Sequence, residues 1–440
     1  MSNLAALYGE HLADLLARHR QLMEQNDLEY LVVPSGAPIR VYQDDMDYPF
    51  KSSFFFRTYV PLAELPHSYI VIGLTGKPTL IYYQPADYWH TPPSDPEGIW
   101  PEHFDVKVVS QQSEALGFMP KDSEKVAVLG EATAATKNLP RAQDNPAALI
   151  NAIYWQRAYK SDYEIECLKR ANQKAAFAHQ AAENAFRAGK SEQQIHLAYV
   201  EAAGIMEHQL PYGNIVCLNE HSAILHYHEC QSQAPAAMKS FLIDAGVSFN
   251  GYHSDITRTY SFQQDEFAEL IQAMDEMQRS CIDSITTNQP YLDLHVNAHL
   301  AIAKIIQQFG FVDMSPDAMV ETGVSATFFP HGLGHLIGLQ VHDVGGQFGD
   351  VSGTHNPPPA AHPFLRSTRN MEPRMAFTIE PGLYFIDMLL AKQRQGAHNS
   401  AFNWSRIESF MPYGGIRIED DIVVQESGVL NLTRDAFGGL

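Results

Sequence analysis

The chain predicts two domains, an α/β fold over residues 1–155 and an α+β fold over 156–440. Three observations carry this. At 440 residues the chain exceeds what a single hydrophobic core usually serves. Short β-rich runs alternate with helical segments in the first third. Beyond it, helices and strands come in separate blocks, the layout of helices packed on a sheet.

Leu4, Leu7, Leu12, Leu15, Leu16, Leu22 and Met23 recur at helical spacing and predict a helix from Leu4 to Glu24. Strand-like runs follow at Tyr30–Val33, Tyr69–Leu74, Leu80–Tyr83, Val106–Val109 and Val126–Leu129. Among them lies Val41–Tyr59, where Asp44, Asp45 and Asp47 adjoin Tyr48, Pro49 and three successive phenylalanines. Two readings stand for it: an exposed contact surface or lid, or core phenylalanines with the acids as their loop. A boundary falls near 151–160. Ser161 and Glu164 then form a capping box, Gly189 suits the end of that helix, and Ser191 with Gln194 repeats the box. Residues 212–262 are strand-rich, helices are expected near 264–285 and 292–309, and strands run on to the end. Thr354–Pro363, with three successive prolines, is a stiff loop.

Acids outnumber bases by 51 to 30, a formal charge of −21, which argues against nucleic acid and anionic membrane as partners. Most of that excess is a solvated surface; a few acids are left for a metal. The four cysteines form no CxxC pair and read as reduced thiols. The N-terminal stretch lacks a basic segment followed by an apolar core, and no run of about 18 apolar residues occurs. A cytoplasmic protein without a membrane span is expected.

Chemistry concentrates in four places. Phe241–Tyr260 reads as a β-hairpin with one aspartate on each arm, Asp244 and Asp255. Close carboxylates repel unless a proton or a cation lies between them, although Asp near a turn is also ordinary loop chemistry. Downstream, His331 and His335 are interleaved with Gly332 and Gly334 and followed by His342. The HxxxH spacing resembles a helical zinc motif, but these glycines and Pro330 oppose a helix. Glu380 stands in a strand-like run ending in Pro381-Gly382. Arg417 and Glu419 alternate with isoleucines and share one strand face. Such buried acids are costly unless paired or metal-bound.

In order and local sequence, Asp244, Asp255, His335, Glu380 and Glu419 resemble the ligand set of the pita-bread metallopeptidases, which include methionine aminopeptidase, aminopeptidase P, prolidase and creatinase. The chain is most similar to bacterial Xaa-Pro dipeptidases, some of them called organophosphorus acid anhydrolases. The resemblance runs through DDMDYPFK, PADYWH, PYGNIVCLNEHSAILHY, FFPHGLGH, GLQVHDVGG, HPFLRSTR, TIEPGLYFI and GGIRIED.

The resemblance implies a pita-bread catalytic domain with two Mn²⁺ ions per subunit, Co²⁺ or Zn²⁺ being possible substitutes in so oxygen-rich a site. Asp255 and Glu419 bridge the ions, Asp244 completes one shell, and His335 and Glu380 complete the other. Ions about 3.5 Å apart acidify a water between them for attack on the carbonyl before proline, with Glu380 shuttling the proton. Arg366 is expected to pair with the dipeptide's carboxylate, unless it forms a surface salt bridge. His226, His331, His342 and Arg417 surround the substrate, where they could donate to the developing oxyanion. Tyr212, Leu225, Tyr291, Val341 and Leu365 form apolar walls or plain core. Relatives are homodimers in which the N-terminal domain covers the partner's site, and Asp45 is the candidate there for the substrate's amino group. Hydrolysis of organophosphorus triesters and fluoridates is implied as a side activity. The alternatives are an aminopeptidase P acting on longer X-Pro peptides and a non-catalytic binding module of the same fold. For His253 both a contact near the site and plain surface are open.

Overall fold

The computed structural model describes residues 2–120, 125–133, 135–138 and 143–440. It opens on helix α1 (Ser2–Gln25), which buries Leu4, Leu12, Leu15, Leu16, Leu22 and Met23. The expected strands form one mixed sheet from β1 (Tyr30–Pro34), β2 (Tyr69–Gly73), β3 (Thr79–Tyr83), β4 (Asp105–Val109) and β5 (Val126–Val128), with β6 (Gln143–Asp144) added at an edge. Their order is β4-β3-β2-β1-β5-β6. This sheet lies in the first of two units, Met1–Arg157 with Ser161–Cys167 and Asp350–Thr354.

The acidic-aromatic segment divides between its two readings. Phe54–Tyr59 forms a helical turn, α2, capped by Ser53, with Phe55, Phe56 and Tyr59 buried. The acids before it are exposed, as are Tyr42, Met46 and Tyr48 at 85%, 65% and 56%. A bridge between Arg40 and Asp47 closes this stretch into a tongue.

Helix α3 (Ala147–Arg157) ends the long first segment of that unit. Helix α4 (Asp162–Arg187) starts on the expected box: the Ser161 N–H donates to Glu164 at 2.7 Å and the Glu164 N–H to Ser161 Oγ at 3.3 Å. Ser191 and Gln194 repeat that exchange at the head of α5 (Glu192–Ala203).

The second unit comprises Ala158–Lys160, Leu168–Gly349 and His355–Leu440. Here β7 (Ile215–Leu218), β8 (Ser240–Ala245) and β11 (Ile256–Ser261) form an antiparallel sheet, and β9 (Ser248–Phe249) with β10 (Tyr252–His253) forms the tip of the hairpin. Helices α6 (Glu266–Asp283) and α7 (Tyr291–Gln308) follow. β12 (Ala376–Ile379) pairs with β15 (Asp420–Val424), which pairs with β16 (Val429–Asn431); β13 (Gly382–Tyr384) pairs with β14 (Gly415–Arg417). Helices α4 and α5 cover one side of β7 and β8 through Ala178, Phe186, Ile195 and Tyr199 against Phe241, Ile243 and Ala245. Helices α6 and α7 meet Phe377, Ile379 and Leu383 in a second core.

The region past residue 310 also holds short helices where strands alone were expected, among them Asp387–Arg394, Trp404–Phe410 and Leu432–Gly438. At seven or eight residues they show too few turns for a periodic signal; their starts are set by caps such as Asn403 and Asn431.

The chain around His331 and His335 is irregular, as the glycines require. A Cβ on Gly334 would lie 2.0 Å from the Thr378 carbonyl oxygen and 2.6 Å from the Tyr291 hydroxyl. Gly334→Ala is therefore expected to push the His335 segment off β12, costing about 3 kcal/mol in a denaturant melt.

Candidate metal centre

Strand alternation assigns the faces. Phe241, Ile243 and Ala245 point into the helical core, so Leu242 and Asp244 occupy the opposite side of β8. Thr257 pairs with Asp244 in register, and Asp255, two residues earlier, shares the Thr257 face. An isolated bridge between Thr257 and Glu419 brings the strand from the far end of the chain to the same place.

One ligand atom each from Asp255, His335 and Glu419 lie within 4.8 Å of one another, and all three residues are buried. His335 Nε2 is 3.4 Å from Asp255 Oδ2 and 3.8 Å from Glu380 Oε1. Its Nδ1 donates to the Leu336 carbonyl at 3.0 Å, which turns Nε2 toward the carboxylates. Asp244 joins through Tyr212, whose hydroxyl lies 2.9 Å from Asp244 Oδ1 and 2.5 Å from Asp255 Oδ1. A hydroxyl has one proton, so one of these two contacts needs a protonated carboxyl or a cation.

The electrostatics state the same deficit. Burial pushes Asp244 up to about 6 and Glu380 up to about 7, and burial beside Asp255, Glu380 and Asp244 puts Glu419 well above the carboxylate range. Burial acts on Asp255 too, but the His335 imidazole outweighs it and holds that carboxyl low. Four acids around one imidazole and the Arg417 guanidinium still lack positive charge, and their oxygen-rich donor set fits hard divalent ions. The group implied by the resemblance fits these residues.

Arg417 is the built-in cation. It donates from Nη2 to Asp244 at 2.8 Å, from Nε to Thr257 Oγ1 at 3.2 Å and from Nη1 to the Tyr384 hydroxyl at 3.0 Å. Thr257 Oγ1 donates in turn to Glu419 at 2.7 Å. Burial lowers His331 to about 3, so its ring is neutral. Its Nδ1 donates to the Gly332 carbonyl at 2.8 Å, and its Nε2 accepts from Tyr384 at 2.9 Å. Both nitrogens are thus engaged, and His331 orients Tyr384 where a donor to the substrate oxyanion was expected.

His342 packs edge-on to His335 at 4.3 Å between ring centres, and partial desolvation lowers it to about 4. His226 and Arg366 are exposed; each ring of His226 and His342 feels the Arg366 charge, so the three are neighbours. Leu225 and Val341 are half-buried. Tyr212, expected as an apolar wall, acts through its hydroxyl instead. Tyr291 and Leu365 expose 0% and 1% and belong to the helical core, with the Tyr291 hydroxyl on the Thr378 carbonyl at 3.1 Å. They back the His331–His335 segment and do not face open space, because its glycines draw that segment down onto them. Asp45 lies in the first unit, exposed, its backbone carbonyl accepting from Arg40. His253 is buried, with Nδ1 2.7 Å from Ser248 Oγ and its N–H on the Gly338 carbonyl, a contact that braces the hairpin tip.

Three participants escaped sequence reasoning: Thr257, Tyr384 and Asp421. Asp421 accepts from the Asp255 backbone N–H at 3.1 Å and from Asn172 at 2.8 Å, and burial next to Asp255 raises it far above the usual range. The available signal was three successive acids, Glu419-Asp420-Asp421, between apolar residues. The second of them, Asp420, is neutralised at 2.7 and 2.8 Å by Arg258 and Arg434.

The model of metallopeptidase family M24 matches residues 166–426, and that of the Xaa-Pro dipeptidase N-terminal domain matches residues 6–155. Curated relatives align end to end. A Xaa-Pro dipeptidase of Stenotrophomonas maltophilia is 47% identical over 98% of this chain and 97% of its own length. One from Pseudoalteromonas atlantica is 44% identical over 99% of both. Among solved structures, zinc-substituted Escherichia coli aminopeptidase P in complex with product superposes with a TM-score of 0.72 at 23% identity. That match covers 96% of this chain and 94% of the other, and shows the shared pita-bread fold. Since the matched family region holds every member of the buried acid-imidazole cluster, and relatives at nearly half identity span both units, the chain belongs to metallopeptidase family M24.

Proposed function

We propose that this protein hydrolyses the X–Pro bond of dipeptides at a dinuclear centre whose working ion is Mn²⁺, with Co²⁺ or Zn²⁺ as substitutes. The observation that carries it is the meeting of Asp255, His335 and Glu419 within 4.8 Å, with Glu380 beside His335, in a chain similar throughout to Xaa-Pro dipeptidases. Asp244, Asp255, His335, Glu380 and Glu419 would hold the ions. When bound, the ions supply Lewis acidity toward the scissile carbonyl and a water acidic enough to attack near neutral pH.

The chain's own residues do the rest. Glu380, beside His335, takes the attacking water's proton and returns it to the departing proline nitrogen. Arg417 holds Asp244 and Tyr384 fixed, and Tyr384 is locked in turn by neutral His331. His342, His226 and Arg366 gather at the exposed side, where Arg366 pairs with the substrate carboxylate and the histidines line its approach. Leu225 and Val341 bound the space for the X side chain. The X–Pro amide has no N–H, so recognition falls on the two charged ends.

The exposed tongue of residues 40–48 is the contact by which a second copy covers the site in a homodimer, Asp45 of that copy receiving the substrate's amino group. Both Asp45→Ala and Arg366→Ala are expected to raise the KM for Ala-Pro about 10- to 100-fold, the loss of one charge-assisted hydrogen bond, with smaller changes in kcat. An unchanged KM removes the residue from its role. Hydrolysis of organophosphorus triesters and fluoridates is a side activity of the same centre, since tetrahedral phosphorus resembles the peptide's tetrahedral intermediate. Four free thiols suit a cytoplasmic location, and no helix among the described residues is long and apolar enough to cross a membrane.

The test is Mn²⁺-dependent cleavage of Ala-Pro beside Ala-Pro-Ala, with metal analysis of the dialysed protein. Two ions per chain and rapid cleavage of the dipeptide alone are expected. Equal cleavage of the tripeptide establishes an aminopeptidase P instead, and a chain that retains no ion is a binding module.

A further inference from the structure

A second cluster of metal-ligating side chains lies outside the acidic centre. His295 and His299 stand four residues apart on α7, so both imidazoles leave one face of the helix, and His362 reaches them from the loop before Leu365. One ring nitrogen from each lies within 4.8 Å of the others. His295 Nε2 is 3.0 Å from His362 Nδ1. The ring centres of His295 and His299 are 4.7 Å apart edge-on, and those of His299 and His362 are 5.1 Å apart.

The protein supplies little to satisfy these rings. Ser325 Oγ takes His299 Nδ1 at 3.1 Å, and Phe329 closes the corner against both helical imidazoles. His295 Nδ1 has no hydrogen-bond partner among the described residues. Burial lowers His295 to about 2 and His299 to about 4, and His362 falls in the same direction, so all three are neutral and keep a lone pair each. Between two neutral imidazoles a single proton can be shared, which leaves the third ring outside the arrangement.

We propose that His295, His299 and His362 form a third metal site, separate from the acidic centre and selective for a borderline divalent ion, Zn²⁺ above all. Three imidazoles without a carboxylate favour such an ion over Mn²⁺ or Mg²⁺, the reverse of the acidic centre. Because His362 is only half-buried, water can reach the cluster from its side. The helical HxxxH spacing that the glycines deny to His331 and His335 is realised here, on α7.

The site has a mechanical consequence. His362 opens a turn in which the Leu365 N–H donates to its carbonyl at 3.1 Å, and Arg366 follows directly. This turn presses on the histidine segment, since a Cβ on Gly332 would lie 2.8 Å from the Phe364 oxygen. An ion bound by the three histidines fastens this turn to α7 and so fixes where Arg366 begins. The inference does not depend on the proposed dipeptidase reading.

The experiment compares the full-length protein with His362→Asn, at a half-exposed loop position, and His295→Gln, in the helix. Each is equilibrated with Zn²⁺, dialysed, analysed for metal and checked by thermal melting. We expect wild type to retain one more equivalent of Zn²⁺ per chain than either variant. We also expect an Asp255→Asn, Glu419→Gln double variant, with its acidic centre disabled, to keep that single equivalent. Zn²⁺ contents equal between wild type and a folded His362→Asn overturn the proposal, as does a double variant that retains none.

Discussion

Glu380→Gln is expected to fold as the parent does and to lower kcat for Ala-Pro by about 10²- to 10⁴-fold, the range for loss of a positioned proton carrier. The amide fills the same volume, so packing is kept. Burial already pushes this carboxyl up to about 7, so the neutral amide removes a charge that the bare site disfavours. The metal-free variant should therefore melt no lower than metal-free wild type. Glu380 is also a proposed ligand, its Oε1 3.8 Å from His335 Nε2. Metal content measured beside steady-state kinetics separates a lost ligand from a lost proton carrier. Undiminished turnover with full metal content takes Glu380 out of the mechanism.

Chelation is expected to abolish turnover and to leave an acidic centre whose own contribution to stability falls as pH rises. An unfolded carboxyl titrates near 4. In the metal-free fold Asp244 is held up to about 6, Glu380 up to about 7 and Glu419 higher still, in each case first by burial. While the buried histidines outside the centre affect loaded and stripped protein alike, these three carboxyls therefore bind more protons in the folded form than in the unfolded chain. The stabilisation this gives is fully present below about pH 4 and is lost as pH climbs through about 7. Asp255, held low by His335, acts oppositely, but its window lies at the acid end. Mn²⁺ replaces those protons, so its binding releases them and tightens with pH. At about 100 times its dissociation constant an ion adds about 2.7 kcal/mol. The gap in Tm between loaded and stripped protein should widen from pH 5 to 7.5. A gap that narrows over this range is incompatible with a cation at the shared carboxylates.

Local pattern sufficed for what lies within one segment. Period-two alternation put Arg417 and Glu419 on one strand face, and both reach Thr257. The two capping boxes start α4 and α5 where their residues stand. Glycine spacing denied the His331–His335 stretch a helix, and a Cβ at Gly334 has no room beneath β12. The resemblance supplied the membership of the acidic cluster, whose parts are too far apart in sequence for periodicity to join.

The sequence by itself therefore determined the longer elements, the strand face shared by Arg417 and Glu419, and the family. Tertiary structure alone decided that one threonine hydroxyl ties Arg417 to Glu419, that Tyr212 works through its hydroxyl, that Tyr384 links Arg417 to His331, and that His362 meets His295 and His299. Those partners lie tens to hundreds of residues apart. A side chain's period reports which way it points, whereas the atom it meets depends on how separate segments close around a common core.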